Sequence, residues 1–213
     1  MVQSMKEIAH FEGLPTQRER NLLSVAYKCL VAQKRCSWRN LHTVELREKH
    51  NKKQSQMAAQ YKKEIELELK SVCNEVTDLI NTVFLVKCET ECDLESKVFY
   101  LKMKGDYKRY IAEVVKEDIE KEAVTSASDA AYTEALVAAE NLPPRHPIRL
   151  GLSLNYSVFQ YEILQNESTA CEIAKKAFDN AIDELNNLHG KDYDDSVLIV
   201  QLLRDNLTLW SQE

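Results

Sequence analysis

The chain has 213 residues, of which 44% are hydrophobic, and its formal net charge is −6. This acidic balance argues against a general nucleic-acid binder, because such proteins carry a basic surface. No apolar run approaches the roughly 20 residues that cross a membrane, and the N-terminus lacks the apolar core of a signal peptide. The chain contains four glycines and four prolines, so few residues interrupt helices and we expect long ones.

The N-terminal part of the chain predicts a short helix followed by a long one. Residues 1–10 form the short element, and a break containing glycine and proline follows. Thr16 and Glu19 have the spacing of a capping box, in which both side chains bond to free backbone N–H groups at a helix start. The helix that they begin is predicted to run from about residue 17 into the high forties, because no glycine or proline interrupts it.

Three cations lie on one side of this long helix. Lys28, Arg35 and Arg39 are spaced i, i+7 and i+11, which places them within roughly 40° of one line at about 100° per residue. No carboxylate stands four residues after any of them, so the usual helical ion pairs are absent. Two interpretations remain open, namely an anion-binding stripe that no charge neutralises and ordinary solvated surface cations.

Two further helices are predicted in the middle of the chain. The first runs from about 54 to 86, and its charged residues, Lys62 among them, are expected to face solvent. The second runs from about 94 to 116 and contains Gly105, for which the close approach of another helix is the expected reason.

The helix over 94–116 carries the strongest chemical pattern. Lys102 and Arg109 are seven residues apart and therefore project to nearly one side. Arg109 is followed at once by Tyr110, and a guanidinium beside a phenol hydroxyl offers planar bidentate donors and one neutral donor. This combination suits a phosphate, although a solvated charge on a surface helix is the alternative.

The next part of the chain is expected to alternate between loop and helix. Residues 117–127 are acidic and predicted to be partly loop, and an alanine-rich helix follows over 127–139. A helix over about 147–164 begins with a proline, which suits a first turn because its missing N–H is not needed there. Thr169 and Glu172 are expected to form a second capping box.

The last predicted helix, over about 193–211, carries one stripe of leucines. Leu198, Leu202 and Asn206 recur at i, i+4 and i+8, and such a stripe packs into a core more commonly than it lines a ligand groove. About eight helices result, and they are expected to be mostly antiparallel because the joints are short. The predicted fold class is all-α, with a single domain over 1–213.

Catalytic and metal-binding motifs are missing from the sequence. It contains no glycine-rich phosphate loop, no zinc-protease motif and no nucleophile elbow, so we expect neither an enzyme nor a cofactor. Cys88 and Cys92 could begin a metal clip, but no second pair of cysteines or histidines lies near them in sequence. The six cysteines are expected to be reduced thiols.

Several runs of sequence resemble the 14-3-3 family in the right order over nearly the whole chain. They are RNLLSVAYK at 20–28, SWR at 37–39, SKVFYLKMKGDY at 96–107, RY at 109–110, HPIRLGL at 146–152 and QLLRDNLTLW at 201–210. The resemblance implies a concave helical cup that binds partner-protein segments containing phosphoserine or phosphothreonine, without a cofactor. It also implies a location in the cytoplasm and leaves the nucleus open as a second one. The alternative is a helical scaffold that binds proteins without needing phosphate.

The resemblance further implies which residues form the site. The phosphate pocket consists of Lys28, Arg35, Arg109 and Tyr110, with Arg39 and Lys102 extending the basic wall. The peptide backbone is hydrogen-bonded by Asn155 and Asn206, and its path is supported by Glu162 and Trp210. The apolar wall of the groove consists of Leu154, Val158, Leu198, Ile199 and Leu202.

Two departures from the family pattern concern the dimer. Members of the family carry a first helix before the region that begins here at Met1, and that helix helps to form the dimer. Glu64 also stands where a lysine is common on the dimer surface. We therefore expect a homo- or heterodimer that is weaker than is usual in the family.

Overall fold

The computed structural model describes residues 2–47, 51–185 and 191–211, and these ranges contain helices and no strand. The helices are α1 (Val2–Ala9), α2 (Gln17–Arg47), α3 (Lys52–Leu79), α4 (Leu85–Glu91), α5 (Leu94–Ala112), α6 (Asp118–Ala139), α7 (Pro147–Glu162), α8 (Glu167–Leu185) and α9 (Lys191–Trp210). A π-helical turn over Ile80–Phe84 joins α3 to α4 without a break. If α3, this turn and α4 are counted as one helix, the described ranges contain eight helices, and the all-α prediction is confirmed. No helix in the described ranges is long and apolar enough to cross a membrane.

The first predicted capping box is confirmed and the second is wrong. The Thr16 N–H donates to Glu19 Oε2 at 2.8 Å, and the Glu19 N–H donates to Thr16 Oγ1 at 3.3 Å. At α8, however, the Thr169 N–H donates to Asn166 Oδ1 at 3.3 Å, so Asn166 caps the helix and Thr169 lies inside it. Asparagine competes well for this position because its short side chain reaches the free N–H groups.

Residues 118–126 are helical, which corrects the prediction of a partly looped stretch. Their helix, α6, begins at Asp118. Lys70 on α3 donates to Glu120 at 3.0 Å, and Ser128 Oγ donates to the Gly105 carbonyl at 2.9 Å. These contacts to other helices outweigh the weak local preference of an acidic stretch.

Lys62 is buried, so the prediction that it faces solvent is also wrong. The residue is 5% exposed, and its ammonium contacts the Glu45 carboxylate. It also lies 3.5 Å from His42 Nδ1 and 5.7 Å from the centroid of the Trp38 ring. The acceptors come from α2, so the sequence of α3 alone could not reveal them.

Contacting residues show that α2 and α3 are antiparallel, whereas α2 and α5 are parallel. Tyr27 on α2 bonds to Glu75, and Lys34, further along α2, bonds to Glu68, which comes earlier in α3. By contrast, α2 and α5 run in the same direction. The first turn of α2 contacts the start of α5 through Arg20 and Ser96. The second half of α2 contacts the end of α5 through Arg35 and Glu113.

The same parallel arrangement continues through α7 and α9. Gly151 lies beside Lys102, and Asn155, four residues later on α7, bonds to Asp106, four residues later on α5. Between α7 and α9, the contacting pairs are Gly151 with Ile199 and Tyr161 with Trp210. Four parallel helices, α2, α5, α7 and α9, therefore stand next to one another, and we call them the inner layer. The intervening helices return the chain between them.

Three clusters of buried side chains hold the inner layer to the other helices. The first joins α1, α2, α3 and α5 and includes the stacked rings of Phe84 and Tyr100, whose centroids are 4.4 Å apart. The second joins α5, α6 and α7 around Tyr132 and Phe159, and the third joins α7, α8 and α9 around Leu203. Burial of these side chains fixes the spacing of the helices that carry the site.

Candidate anion-binding groove

Three arginines gather around the carboxylate of Glu113, just past the end of α5. Arg35 donates from Nε and Nη2 to the two carboxylate oxygens at 2.9 and 2.8 Å, which is a bidentate pair. Arg109 donates from Nη1 at 3.2 Å and Arg39 from Nη2 at 3.3 Å. We call these four residues the arginine cluster. The structure thus brings the cations of α2 and α5 together. Of the two interpretations of the α2 stripe, the one in which no charge neutralises it is wrong for Arg35 and Arg39, because both pair with Glu113.

The ring of Tyr110 supports two of the guanidinium groups. The Cζ atoms of Arg35 and Arg109 lie 4.2 and 4.8 Å from the ring centroid, within cation–π distance. Burial raises the pKa of Tyr110 to about 12, so its hydroxyl keeps its proton at neutral pH and remains a donor. The Tyr110 side chain thus positions the arginines and offers a neutral hydrogen bond beside them.

Asp106 anchors the opposite side of Arg109. It accepts hydrogen bonds from the Tyr132 hydroxyl at 2.6 Å, from Asn155 Nδ2 at 2.8 Å and from Lys102 Nζ at 2.9 Å. Burial disfavours its charged form, but the charges of Lys102 and Arg109 outweigh burial and lower the pKa of Asp106. The carboxylate is therefore ionised at neutral pH and holds both cations in place.

Arg109 is the most deeply buried cation of the cluster, at 6% exposure. Its Nε donates to the Tyr132 hydroxyl at 3.3 Å. Burial opposes the charge, but Tyr132 and Asp106 together raise the pKa of Arg109 above its ordinary value. The close approach of Tyr132 depends on Gly105, because a β-carbon there would meet ring carbons of Tyr132 at 2.8 Å. The prediction that Gly105 permits close helix packing is confirmed.

A cavity of about 690 Å³ opens between the four helices of the inner layer. Lys102, Leu198 and Ile199 line it, so the structure brings these three predicted residues together. Gly151 contributes to the wall, with Lys102 Cε 3.7 Å from the place of a β-carbon. Charged and polar side chains also line it, among them Arg20, Glu95 and His146.

A smaller cavity of about 350 Å³ lies directly beside the arginine cluster. Arg39 and Glu113 line it, together with Lys121 and Glu162. The predicted residue Glu162 is thus close to the cluster, although it comes from the end of α7.

The remaining predicted residues lie along α7, α9 and α2. Leu154, Ile199 and Trp210 are partly buried against the core cluster of α7, α8 and α9, and Trp210 stacks on Tyr161 at 4.7 Å. Leu198 and Leu202 are exposed, and Val158, Asn155 and Asn206 are half-buried. Lys28 is exposed two turns before Arg35, and no ion pair joins it to the rest of the described chain. The structure therefore does not bring Lys28 onto Glu113.

Sequence reasoning missed Glu113, Asp106 and Tyr132. A signal existed for the two carboxylates, because Glu113 follows Arg109 by four residues and Asp106 follows Lys102 by four. No sequence signal indicated Tyr132, because its role depends on packing between α5 and α6. Among the described residues, no group of three or more histidine, cysteine or acidic side chains is placed to hold a metal ion.

Comparison with known proteins shows the family. The family model described as 14-3-3 protein matches residues 1–211. The chain belongs to the 14-3-3 family. It is 50% identical over 214 residues to 14-3-3 protein beta/alpha-A of Xenopus laevis, covering all of this chain and 86% of that relative. It is 49% identical to 14-3-3-like protein 1 of Caenorhabditis elegans and 48% identical to 14-3-3 protein homolog 1 of Schistosoma mansoni, again over its full length and over 84% and 83% of theirs.

Membership of the 14-3-3 family gives the coarse function. Proteins of the 14-3-3 family are adaptors that bind partner proteins and form dimers, and they are not enzymes. For this 14-3-3 chain, family membership therefore implies a phosphopeptide-binding adaptor. The all-α architecture agrees with this assignment.

Proposed function

We propose that this chain captures partner-protein segments that contain phosphoserine or phosphothreonine, with the phosphate seated at the arginine cluster. The observation that supports the proposal is the convergence of Arg35, Arg39 and Arg109 on one carboxylate. Three positive charges around one negative charge leave an excess of positive charge. A phosphate with close to two negative charges and three acceptor oxygens matches this excess.

The cluster is organised before a ligand arrives. Arg35 and Arg109 lie against the Tyr110 ring, and Asp106 fixes Arg109 from behind. Side chains that are already held in place lose little freedom on binding, which favours affinity. Tyr110 adds a protonated hydroxyl next to the two guanidinium groups.

We propose that the captured segment lies extended along the inner layer, from the arginine cluster toward the larger cavity. Asn155 and Asn206 are suited to hydrogen-bond its backbone. Asn155 gives one N–H to Asp106, which leaves its carbonyl and its second N–H available. The apolar wall of this path would consist of Leu154, Val158, Leu198, Ile199 and Leu202. Glu162 and Trp210 would support the path, and Lys28 and Lys102 would be further cations.

We also propose a weak homo- or heterodimer that forms through α3 and acts in the cytoplasm. Met57, Tyr61 and Leu67 on this helix are 63%, 59% and 60% exposed, and exposed apolar side chains of this size commonly mark interaction surfaces. Glu64 adds a negative charge to the same stretch. Sedimentation across nanomolar and micromolar concentrations tests this, and a dimer that persists at nanomolar concentration would contradict a weak interface.

A titration with one phosphoserine peptide and its unphosphorylated twin tests the main proposal. Arg35→Ala removes two charge-assisted hydrogen-bond donors, worth about 1.5–3 kcal/mol, so phosphopeptide affinity should fall about tenfold or more. Arg109→Ala should weaken binding as well. Because Arg109 is buried against Asp106, its variant needs a folding check by circular dichroism.

Lys63→Ala is the matched control. Lys63 is exposed on α3 and carries the same charge, whereas its neighbour Lys62 is buried against Glu45 and would perturb folding. Binding to Lys63→Ala should equal that of the wild type. If the unphosphorylated twin binds the wild type as well as the phosphopeptide does, the phosphate-independent scaffold replaces this proposal.

A further inference from the structure

An anion already occupies the arginine cluster before any client binds. The Glu113 carboxylate accepts two hydrogen bonds from Arg35, one from Arg109 and one from Arg39. Its side chain is only 11% exposed, so these bonds are shielded from water on most sides. The chain thus supplies an internal ligand to the site where the client's charge is proposed to bind.

Glu113 and a client aspartate or glutamate compete on equal chemical terms. Both offer one negative charge and two coplanar oxygens, so exchanging one for the other replaces a bidentate pair with Arg35 by a similar pair. Glu113 is tethered at the end of α5 and pays no cost of association, whereas the client must pay it. The exchange would also leave the Glu113 charge beside a second carboxylate. A carboxylate side chain in the client therefore gains almost nothing at this site.

A phosphate does not face the same limit. It carries nearly twice the charge and a third acceptor oxygen, so it bonds to the guanidinium groups more strongly than a carboxylate does. A neighbouring cavity can also accommodate the Glu113 side chain once a phosphate has displaced it. Glu113 lines the cavity of about 350 Å³, which Lys121 and Glu162 also line. A displaced carboxylate can turn into that space and meet a cation there.

We propose that Glu113 makes the site selective for phosphorylated side chains by excluding the aspartate and glutamate of unmodified clients. This inference rests on the proposed function, since it concerns the same cluster. Glu113 acts here as a competitor that sets specificity, in addition to holding the arginines in place. Only a ligand that binds the cluster more strongly than a carboxylate displaces it.

The experiment compares three peptides that differ at one position, which is phosphoserine, aspartate or serine. Each is titrated against the wild type and against Glu113→Gln, which keeps the shape and one acceptor oxygen but removes the charge. With the wild type, the aspartate peptide should bind no better than the serine peptide. With Glu113→Gln, it should bind about tenfold better than the serine peptide, because the charge-assisted bonds become available to it.

Glu117→Gln is the matched control for net charge. Glu117 is exposed, follows Glu113 by four residues and lies outside the arginine cluster. Its replacement by glutamine removes the same charge from the protein. This control should leave the ratio of phosphoserine to aspartate affinity unchanged. If the ratio in Glu113→Gln equals that of the wild type while the phosphopeptide still binds, the selectivity role of Glu113 is wrong.

Two further outcomes are decisive. If the phosphopeptide binds the wild type no better than the serine peptide, the proposed function itself fails, and the inference fails with it. If circular dichroism shows that Glu113→Gln is unfolded, Glu113→Asp tests the selectivity role instead. The aspartate side chain keeps the charge but is shorter, so its pair with Arg35 is weaker. The aspartate peptide should then bind this variant about threefold better than the wild type, through the weakened internal pair. An unchanged affinity would overturn the inference.

Discussion

The ring of Tyr132 packs so closely against Gly105 that a β-carbon at that position would lie 2.8 Å from two of its ring carbons. This contact sets the Tyr132 hydroxyl 2.6 Å from Asp106 and 3.3 Å from Arg109 Nε. A residue without a side chain therefore determines where the buried cation of the arginine cluster lies.

Gly105→Ala is expected to destabilise the protein, even though alanine favours a helix by about 1 kcal/mol. Tyr132 is fully buried and cannot move aside freely, and overpacking of this kind costs about 1–3 kcal/mol. Phosphopeptide affinity should fall with it, because Arg109 loses its support. Thermal unfolding and the peptide titration measure the two effects.

Gly151→Ala is the control for that substitution. A β-carbon at Gly151 would meet only Lys102 Cε at 3.7 Å and Ile199 Cδ1 at 4.0 Å, which are ordinary contacts. Its stability should be unchanged or higher by up to about 1 kcal/mol. Equal stability of the two alanine variants would contradict the role given to Gly105.

Lys62→Met is expected to lower stability at neutral pH by leaving Glu45 without its partner. The hydrogen bond from Lys62 lowers the pKa of Glu45 below its ordinary value of 4.5. A lowered folded-state pKa contributes stability above the unfolded-state value, and this contribution is lost as the pH falls through the folded-state pKa. The difference in unfolding free energy between wild type and variant should therefore be largest at neutral pH and shrink below pH 4.5.

Urea unfolding at pH 7 and at progressively lower pH measures this difference, with Lys63→Met as the exposed neighbour for comparison. The Lys63 variant should differ little from the wild type at every pH. A Lys62 variant whose deficit stays constant from pH 7 down to pH 3 would show that the ion pair with Glu45 is not the cause.

Arg35→Lys should fail to restore phosphopeptide binding, although the charge is retained. An ammonium cannot form the two parallel hydrogen bonds that Arg35 makes, and it cannot stack as a plane on the Tyr110 ring. We expect an affinity closer to that of Arg35→Ala than to that of the wild type, as measured by calorimetric titration. Full affinity in the lysine variant would indicate that charge alone attracts the phosphate.

Asp106→Asn should cost about 3 kcal/mol or more, because removal of one partner leaves buried cations uncompensated. Lys102 and Arg109 both depend on this carboxylate, and the Asp106 site is almost completely buried. Since the pKa of Asp106 is lowered, the loss should be fully present at neutral pH. Chemical unfolding measures it against Asp78→Asn, an exposed helical aspartate on α3 that should show little change.

The sequence predicted the features that depend on neighbours along the chain. The Thr16–Glu19 capping box and the uninterrupted helix that follows it need only a few adjacent residues. The burial of Lys62 and the early start of α6 were not predictable in this way. Each depends on a partner in another helix, Glu45 for the first and Lys70 for the second.

In the candidate site, too, the sequence predicted relationships within one helix but not those between helices. Periodicity placed Arg35 and Arg39 on one face, but only the family resemblance brought that face to Arg109. The pair between Arg35 and Glu113 joins residues 78 positions apart, and no local pattern specifies it. The four-residue spacing of Arg109 and Glu113 was visible in the sequence, yet it did not show that one carboxylate would serve three arginines.

The parallel course of α2, α5, α7 and α9 also aligns the peptide dipoles of the inner layer. Each helix carries roughly half a positive charge at its N-terminus and half a negative charge at its C-terminus. Residues from the first two turns of all four line the larger cavity, namely Gln17, Glu95, Ile148 and Asp195. The C-terminal ends of α5 and α7 instead meet beside the arginine cluster. The negative C-terminal ends disfavour an anion at the arginine cluster, so a phosphate bound there as proposed would depend on the three guanidinium groups to outweigh the helix dipoles.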